Sequence, residues 1–148
     1  MGFNQAYTAY QKTNVSTASQ GRLVVLLYEA AVKNLNAAIA LLDADDNLKP
    51  GNIETYGKHI QKTQAIINEL EVSLDMEKGG EIAKNLMSLY LFFNRELTEA
   101  TFNHSAAKIQ SVLTMLNDLL SAWRTAANST SNAPASASMQ TSTFSIEG

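Results

Sequence analysis

QGRLVVLLYEAAVKNLNAAIALLD, residues Gln20 to Asp43, is the stretch that decides the fold, because it is too apolar for a simple surface helix. Between Leu23 and Val32 the only charged residue is Glu29. These positions span the whole circumference of a helix with 3.6 residues per turn, whereas an ordinary amphipathic helix is apolar on one side. Two faces of this helix therefore need cover.

The two faces have different spacing. The first alternates steps of four and three residues, which is typical of a seam packed against neighbouring helices. It consists of Val24, Tyr28, Ala31, Leu35, Ala38 and Leu42. The second consists of Leu23, Leu26, Leu27 and Ala30. The question for function is whether the second face is covered by this chain or by another protein.

Composition excludes several classes of protein. A length of 148 residues predicts one domain. The net charge is -3, and the scattered basic residues do not form a nucleic-acid-binding stripe. The apolar runs 23–28 and 37–42 are far shorter than the ~20 residues of a membrane span. The start MGFNQAYTAY lacks the basic and apolar regions of a secretory signal, so we expect a soluble, cytoplasmic protein. The absence of cysteine excludes disulfides and thiolate chemistry.

Three further helices follow in the sequence. The first helix is expected over 20–43, capped by Thr17 or Ser19, and DADDNLKPGN then forms a loop. A second helix begins after Asn52 as its cap and ends at Gly79 and Gly80. A third is predicted over 81–103, and a fourth begins after Ser105. The apolar positions of the second are Ile53, Tyr56, Ile60, Ile67, Leu70 and Leu74, and those of the fourth are Ile109, Val112, Leu113, Leu116, Leu119, Leu120 and Trp123.

These patterns predict an all-α protein, an antiparallel four-helix bundle over 19–127. An N-terminal cap segment, 1–18, precedes it, and a disordered tail rich in Ser and Thr, 128–148, follows it. The second and fourth helices have narrow apolar stripes, whereas the first and third are broadly apolar. Surplus apolar surface usually marks a partner site. The alternative is that the wide helices are the more central pair and that the terminal segments cover the rest.

The terminal segments carry a few apolar anchors. Tyr7 and Tyr10 lie three residues apart, so one helical turn would place both rings where they cover the first helix. The alternative is a frayed terminus. In the tail, the only apolar anchors for docking are Met139, Phe144 and Ile146.

The sequence offers no catalytic or metal-binding constellation. Di-iron bundles carry Glu-x-x-His pairs, but Tyr56 and Thr101 stand three residues before His59 and His104. No base is placed to activate a serine, and no glycine-rich phosphate loop follows a strand. We therefore expect no enzyme activity, no metal and no cofactor. Two functional classes remain. One is a binding module that accepts an amphipathic helix from another protein. The other is a structural or regulatory bundle whose surplus apolar faces pair in a homodimer.

Two stretches of the chain resemble the flagellin export chaperone family, FliS. They are AYTAYQKTNVSTASQGRLVVLLYEAAVKNL (6–35) and ELEVSLDMEKGGEIAKNLMSLYLFFNRELTEA (69–100), closed by LLSAW at 119–123. The resemblance implies a helical bundle that binds the C-terminal region of flagellin, prevents premature polymerisation and escorts it to the type III export gate. It also implies that the N-terminal segment covers apolar surface, moves aside for flagellin and contributes to gate docking. The resemblance therefore implies that Tyr7 and Tyr10 take part in this covering and in gate docking.

The surplus apolar surface and the resemblance together give a set of candidate groove residues. A partner that folds on binding needs a broad groove rather than a single pocket. We expect the walls to be formed by Leu23, Leu27, Tyr28 and Ala31 on the first helix, with Leu86 and Tyr90 on the third. The alternative for each of these residues is a place in the core.

Overall fold

Four long helices make up the protein in the computed structural model, which describes residues 17–132 and, within them, the side chains of 20–128. They are α1 (Thr17–Ile39), α2 (Ile53–Ser73), α3 (Gly80–Asn103) and α4 (Ala106–Asn132). A short 3-10 turn, Pro50–Asn52, precedes α2. Within the described residues no strand forms, and the all-α class is confirmed.

The helices form an antiparallel ring in which each one packs on the next and α4 packs back on α1. Polar contacts mark three of the junctions. His59 on α2 contacts Asn34 on α1, Lys108 on α4 pairs with Glu99 on α3, and Arg124 on α4 pairs with Glu29 on α1. Across the junction of α2 and α3 the contacts run in opposite directions, from Tyr56 with Ala100 to Gln64 with Asn94, and short links join each helix to the next. The predicted antiparallel bundle is therefore confirmed, and α1 and α3 occupy opposite corners of it.

The core runs along the axis of this ring. Its members are the inward positions that the three-and-four spacing predicts, because such positions fall on one side of a helix. From α1 these are Val24, Tyr28, Ala31, Leu35 and Ala38, and from α4 they include Ile109, Val112, Leu116, Leu120 and Trp123. Thr63, which interrupts the apolar pattern of α2, is also buried, and its hydroxyl donates to the carbonyl of His59. The first predicted face of α1 is therefore a core face, except at Leu42, which lies in the turn after α1 and is partly buried.

The predicted end of the first helix at Asp43 is wrong, because α1 ends at Ile39. The Asp43 carboxylate accepts hydrogen bonds from the amides of Asp45 and Asn47, at 2.8 and 2.9 Å, and these bonds favour a turn over a further helical turn. The hydrogen bond from the Asn47 amide, followed by that from the Asp45 amide, lowers the pKa of Asp43 below its ordinary value. Leu42 pairs with Leu48 across this turn. The loop is therefore held by its own side chains.

The predicted start of the second helix after Asn52 is confirmed, since α2 begins at Ile53, but the predicted cap bond and the predicted end are wrong. Asn52 makes no side-chain cap hydrogen bond, because its backbone is already helical in the 3-10 turn that leads into α2. At the other end α2 stops at Ser73, before Gly79 and Gly80. The carboxylate of Asp75 accepts from the amides of Glu77 and Lys78, which stabilises a separate turn. Gly80 has φ +53 and starts α3.

The link between α3 and α4 agrees with the prediction. His104 ends α3 in the left-handed region, with φ 48, and its amide donates to the carbonyl of Ala100 at 2.9 Å. Ser105 caps α4, since its hydroxyl oxygen accepts from the amide of Lys108 at 3.2 Å. Two residues therefore reverse the chain.

The predicted boundaries at the chain ends fall close to the ends of the described residues. α1 begins at Thr17, so 17 and 18 are helical rather than part of the segment before the bundle. α4 continues to Asn132, past the predicted boundary at 127. The rest of the predicted cap segment, 1–16, and of the predicted tail, 133–148, lies outside the described residues.

Candidate functional site

The second face of α1 keeps apolar surface open to solvent. Leu23 is 49% exposed and Leu26 is 53% exposed, while Leu27 and Ala30 are partly buried. We call these four residues the α1 apolar face. Because the other side of α1 is already packed into the core, this face cannot also turn inward. It therefore lies on the outside of the bundle that residues 17–132 form.

Its position on the bundle follows from the neighbours of α1. Ala30 and Asn34 lie four residues apart, on one side of the helix, and the Asn34 amide donates to the carbonyl of Ala30. Asn34 also contacts His59 of α2, with Oδ1 and Nδ1 3.0 Å apart. On the other flank of α1, Glu29 pairs with Arg124 of α4 at 2.9 Å. The α1 apolar face therefore borders the junction with α2.

The structure separates the residues that the sequence placed in one groove. Leu23 is exposed and Leu27 partly buried on the α1 apolar face, whereas Tyr28, Ala31, Leu86 and Tyr90 are fully buried in the core. Tyr7 and Tyr10 lie outside the described residues. The binding role of all eight stays a prediction.

The order of the helices in the ring explains why Tyr28, Ala31, Leu86 and Tyr90 lie in the core. α1 and α3 are diagonal in the ring, so the surface they share is the inside of the bundle. There the hydroxyl oxygens of Tyr28 and Tyr90 lie 2.5 Å apart and form a hydrogen bond, and the Tyr28 ring lies 6.2 Å from that of Trp123. The surplus apolar surface of α3 lies elsewhere, at Leu91 and Phe102, which are 54% and 76% exposed. An outer groove cannot have α1 and α3 as its two walls.

Leu26 is the candidate that the predicted set left out. It belongs to the second face by its spacing of three from Leu23, and it is at least as exposed as Leu23. The signal that identifies it was present in the sequence, since a residue opposite the core seam of a packed helix faces solvent.

Glu96 and Glu99, two carboxylates that share a flank of α3, both pair with one lysine. Lys108 of α4 lies 3.6 Å from Glu96 and 2.9 Å from Glu99. The hydrogen bond from Lys108 lowers the pKa of Glu99, and the same bond raises the pKa of Lys108. This arrangement joins α3 to α4.

Other chemistry finds no support in the part of the chain that the structure describes. Among its His, Asp and Glu side chains, no three come together in a group that could hold a metal ion. Across residues 17–132, none of the helices has the length and hydropathy needed to cross a bilayer.

The fold defines the class of the protein as an all-α helical bundle, and the α1 apolar face is its candidate contact surface. The chain belongs to the FliS family, since the model of that family, "Flagellar protein FliS", matches residues 3–130. The chain is 32% identical over 119 residues to the flagellar secretion chaperone FliS of Vibrio cholerae, covering 78% of this chain and 83% of that protein. It is 35% identical over 111 residues to the protein of the same name from Salmonella typhimurium, covering 74% and 78%. The match to its Bacillus subtilis counterpart is 28% identical over 129 residues and covers 87% and 91%. The expected family is confirmed, and with it a role as a flagellar export chaperone.

Proposed function

We propose that this export chaperone acts in the bacterial cytoplasm, binds the C-terminal helical region of flagellin, prevents its premature polymerisation and delivers it to the type III export gate. The observation that carries the proposal is the α1 apolar face, on which Leu23 and Leu26 are about half exposed in a chain of this family. Binding of this kind needs no catalytic group, metal or cofactor.

The contact surface supports an amphipathic helix as the ligand. Leu23, Leu26 and Leu27 follow the i, i+3, i+4 pattern, which interlocks with the same pattern on a second helix. Completing the burial of one leucine contributes at most about 1.5–3 kcal/mol, so a few leucines do not suffice to order a flexible partner. The client therefore extends past this face along the bundle.

The buried residues of the candidate set take a positioning role in this proposal. Tyr28 and Ala31 face the core from the same helix that presents Leu23 and Leu27, and Tyr90 bonds Tyr28 from α3. Together with Leu86 they fix where α1 stands, whereas Leu23, Leu26 and Leu27 contact the client. Tyr7 and Tyr10, in the segment that leads into α1, are proposed to cover part of the apolar surface outside the α1 apolar face until the client arrives and to contribute to gate docking.

Calorimetry with the C-terminal segment of flagellin from the same bacterium tests the proposal. The wild-type chain should bind it and gain helicity on mixing, and the double variant Leu23→Ser/Leu26→Ser should bind at least tenfold more weakly. Ile53→Ser/Leu91→Ser is the matched control, because it removes two similarly exposed residues from α2 and α3. No binding by the wild type at tens of micromolar would refute the proposal. Equal loss in both variants would refute the assignment to α1.

The proposed cover is tested by Tyr10→Ala. This change should alter client affinity while leaving the free energy of unfolding within about 1 kcal/mol, the usual range for a site outside the core. A large loss of stability would show that Tyr10 belongs to the core instead.

Sedimentation of the chain alone examines the competing homodimer. A dimer that dissociates in Leu23→Ser/Leu26→Ser would show that the face pairs with a second copy. A monomer across the concentration range leaves the face open to the client.

A further inference from the structure

The sequence after α4 carries a short apolar pattern. Residues 133–148, APASASMQTSTFSIEG, contain two large apolar residues two apart, Phe144 and Ile146, followed by Glu147. In an extended chain residues two apart point to the same side, about 6.5 Å from each other. Leu23 and Leu26 lie three residues apart on their helix, where Cβ atoms are about 5–6 Å from each other. The spacings of the two pairs are therefore similar.

The end of α4 lies at the same end of the bundle as the α1 apolar face. Arg124 contacts Glu29, and from there α4 continues to Asn132, about 12 Å further along the axis. Leu26 and Leu23 lie about 4.5 and 9 Å from Glu29 in the same direction, because the helices are antiparallel. The twelve residues from Asn132 to Phe144 reach up to ~40 Å when extended, which exceeds the ~10–12 Å width of the helix to be crossed.

Charge favours the segment 133–148 over the segment 1–16 as the occupant of the α1 apolar face. Arg22 and Lys33 are exposed on α1 and flank Leu26, while Glu29 between them is paired with Arg124. In 133–148 the only charged side chain is that of Glu147, whereas in 1–16 it is that of Lys12. An acidic residue beside Phe144 and Ile146 complements the basic residues beside the leucines.

We propose that Phe144 and Ile146 dock on the α1 apolar face, with Glu147 beside Arg22, and that the C-terminal segment competes with the client for this face. The competition rests on the proposed function, whereas the docking does not. A tethered segment has an effective concentration in the millimolar range, so an intrinsic Kd of ~100 μM is enough to occupy the face about nine-tenths of the time. The client must then displace this weakly bound segment before it can contact Leu23 and Leu26.

A spin label on the full chain tests the docking directly. The chain contains no cysteine, so Ser145→Cys gives a single attachment site for a nitroxide. We expect its paramagnetic broadening on the methyl signals of Leu23, Leu26 and Leu27, and not on those of Ile53, which starts α2 at the other end of the bundle, or on those of Leu91. Adding Phe144→Ser/Ile146→Ser should abolish it, while adding Ser136→Ala/Ser138→Ala should leave it unchanged. Broadening centred elsewhere, or none, overturns the proposal.

Mixing spin-labelled chains with isotope-labelled, cysteine-free chains separates docking within one molecule from docking between two. We expect broadening of the Leu23 and Leu26 signals only when the spin label and the isotope label are on the same chain. Equal broadening between chains would assign the segment to a second copy and overturn the proposal.

Calorimetry with the flagellin segment tests the competition. The full chain carrying Phe144→Ser/Ile146→Ser should bind it up to about tenfold more tightly than the wild type, as the intramolecular occupancy above requires. Equal affinities in the presence of the expected broadening would overturn the competition. If neither chain binds flagellin, the proposed function and the competition fall together, and the broadening still decides the docking.

Discussion

Tyr28 on α1 and Tyr90 on α3 form a hydrogen bond between their hydroxyl oxygens, 2.5 Å apart, at the centre of the bundle. Both rings are fully buried, and their helices stand at opposite corners of the ring. This bond therefore ties the helix that carries the α1 apolar face to the helix farthest from that face.

Replacing Tyr28 by Phe removes this bond and keeps the ring. We expect the free energy of unfolding to fall by about 1 kcal/mol, the usual net value of a hydrogen bond, while flagellin affinity stays unchanged because the hydroxyl lies inside the bundle. Urea denaturation of Tyr28→Phe, Tyr90→Phe and the double variant measures the coupling, expected between about 0.5 and 1.5 kcal/mol. Strictly additive losses would mean that the two hydroxyls do not depend on each other.

A pair of leucines on α3 tests the assignment of core and surface. Leu86 is fully buried and Leu91 is 54% exposed, and both lie inside the same helix. Leu86→Ala should cost about 2–5 kcal/mol of stability, because it leaves a cavity, whereas Leu91→Ala should stay within about 0.5 kcal/mol. Thermal or urea denaturation distinguishes them, and helix propensity cancels because the substitution is the same. Similar losses for both would show that Leu91 is packed in solution.

The sequence predicts the inward face of each helix better than the helix ends. Val24, Tyr28 and Leu35 are buried as their spacing requires, because burial follows from periodicity alone. The end of α1 was predicted too late, since a single carboxylate, that of Asp43, competes with the helix for backbone amides. Asp75 has a similar effect in the turn after α2. Such local competition does not show in an apolar pattern.

The order of the helices around the ring explains why the candidate site was only partly predictable. Periodicity marks Leu86 and Tyr90 as apolar but does not say that α3 lies diagonal to α1. Once the ring is known, the residues that both helices turn inward meet each other, and the exposed residues of each helix face different neighbours. Leu23 and Leu26 were identifiable from sequence because their exposure depends on one helix, opposite its own core seam.

His104 offers a test of backbone strain in the two-residue link. It adopts φ 48, and its ring lies 5.4 Å from that of Tyr56 in an edge arrangement. Asn tolerates the left-handed region and Val does not, so His104→Val should be less stable than His104→Asn by about 1 kcal/mol or more. Both variants lose the ring contact, so the difference measured by urea denaturation reports the backbone alone. Equal stabilities would mean that the link relaxes out of this conformation.

Tyr56 links the stability of the bundle to alkaline pH. Its hydroxyl donates to the carbonyl of Ala100 at 2.7 Å, and burial, followed by the charge of Asp46, raises its pKa from 10.0 to about 12. Below pH 10 the folded and unfolded states both keep the proton. Between about pH 10 and 12 the unfolded chain loses it first, so the folded state binds more protons and stability falls as pH rises.

The control for this pH dependence is Tyr56→Phe, which lacks the ionising group. The difference in unfolding free energy between wild type and variant should be constant below pH 10 and shrink between pH 10 and 12. Other tyrosines and lysines that titrate in this range contribute to both proteins and cancel in the difference. Tyrosinate absorbance of the folded proteins gives an independent reading, because the wild type should show one late-titrating group that the variant lacks. A difference in stability that stays flat through pH 12 would mean that water reaches the Tyr56 hydroxyl between α2 and α3.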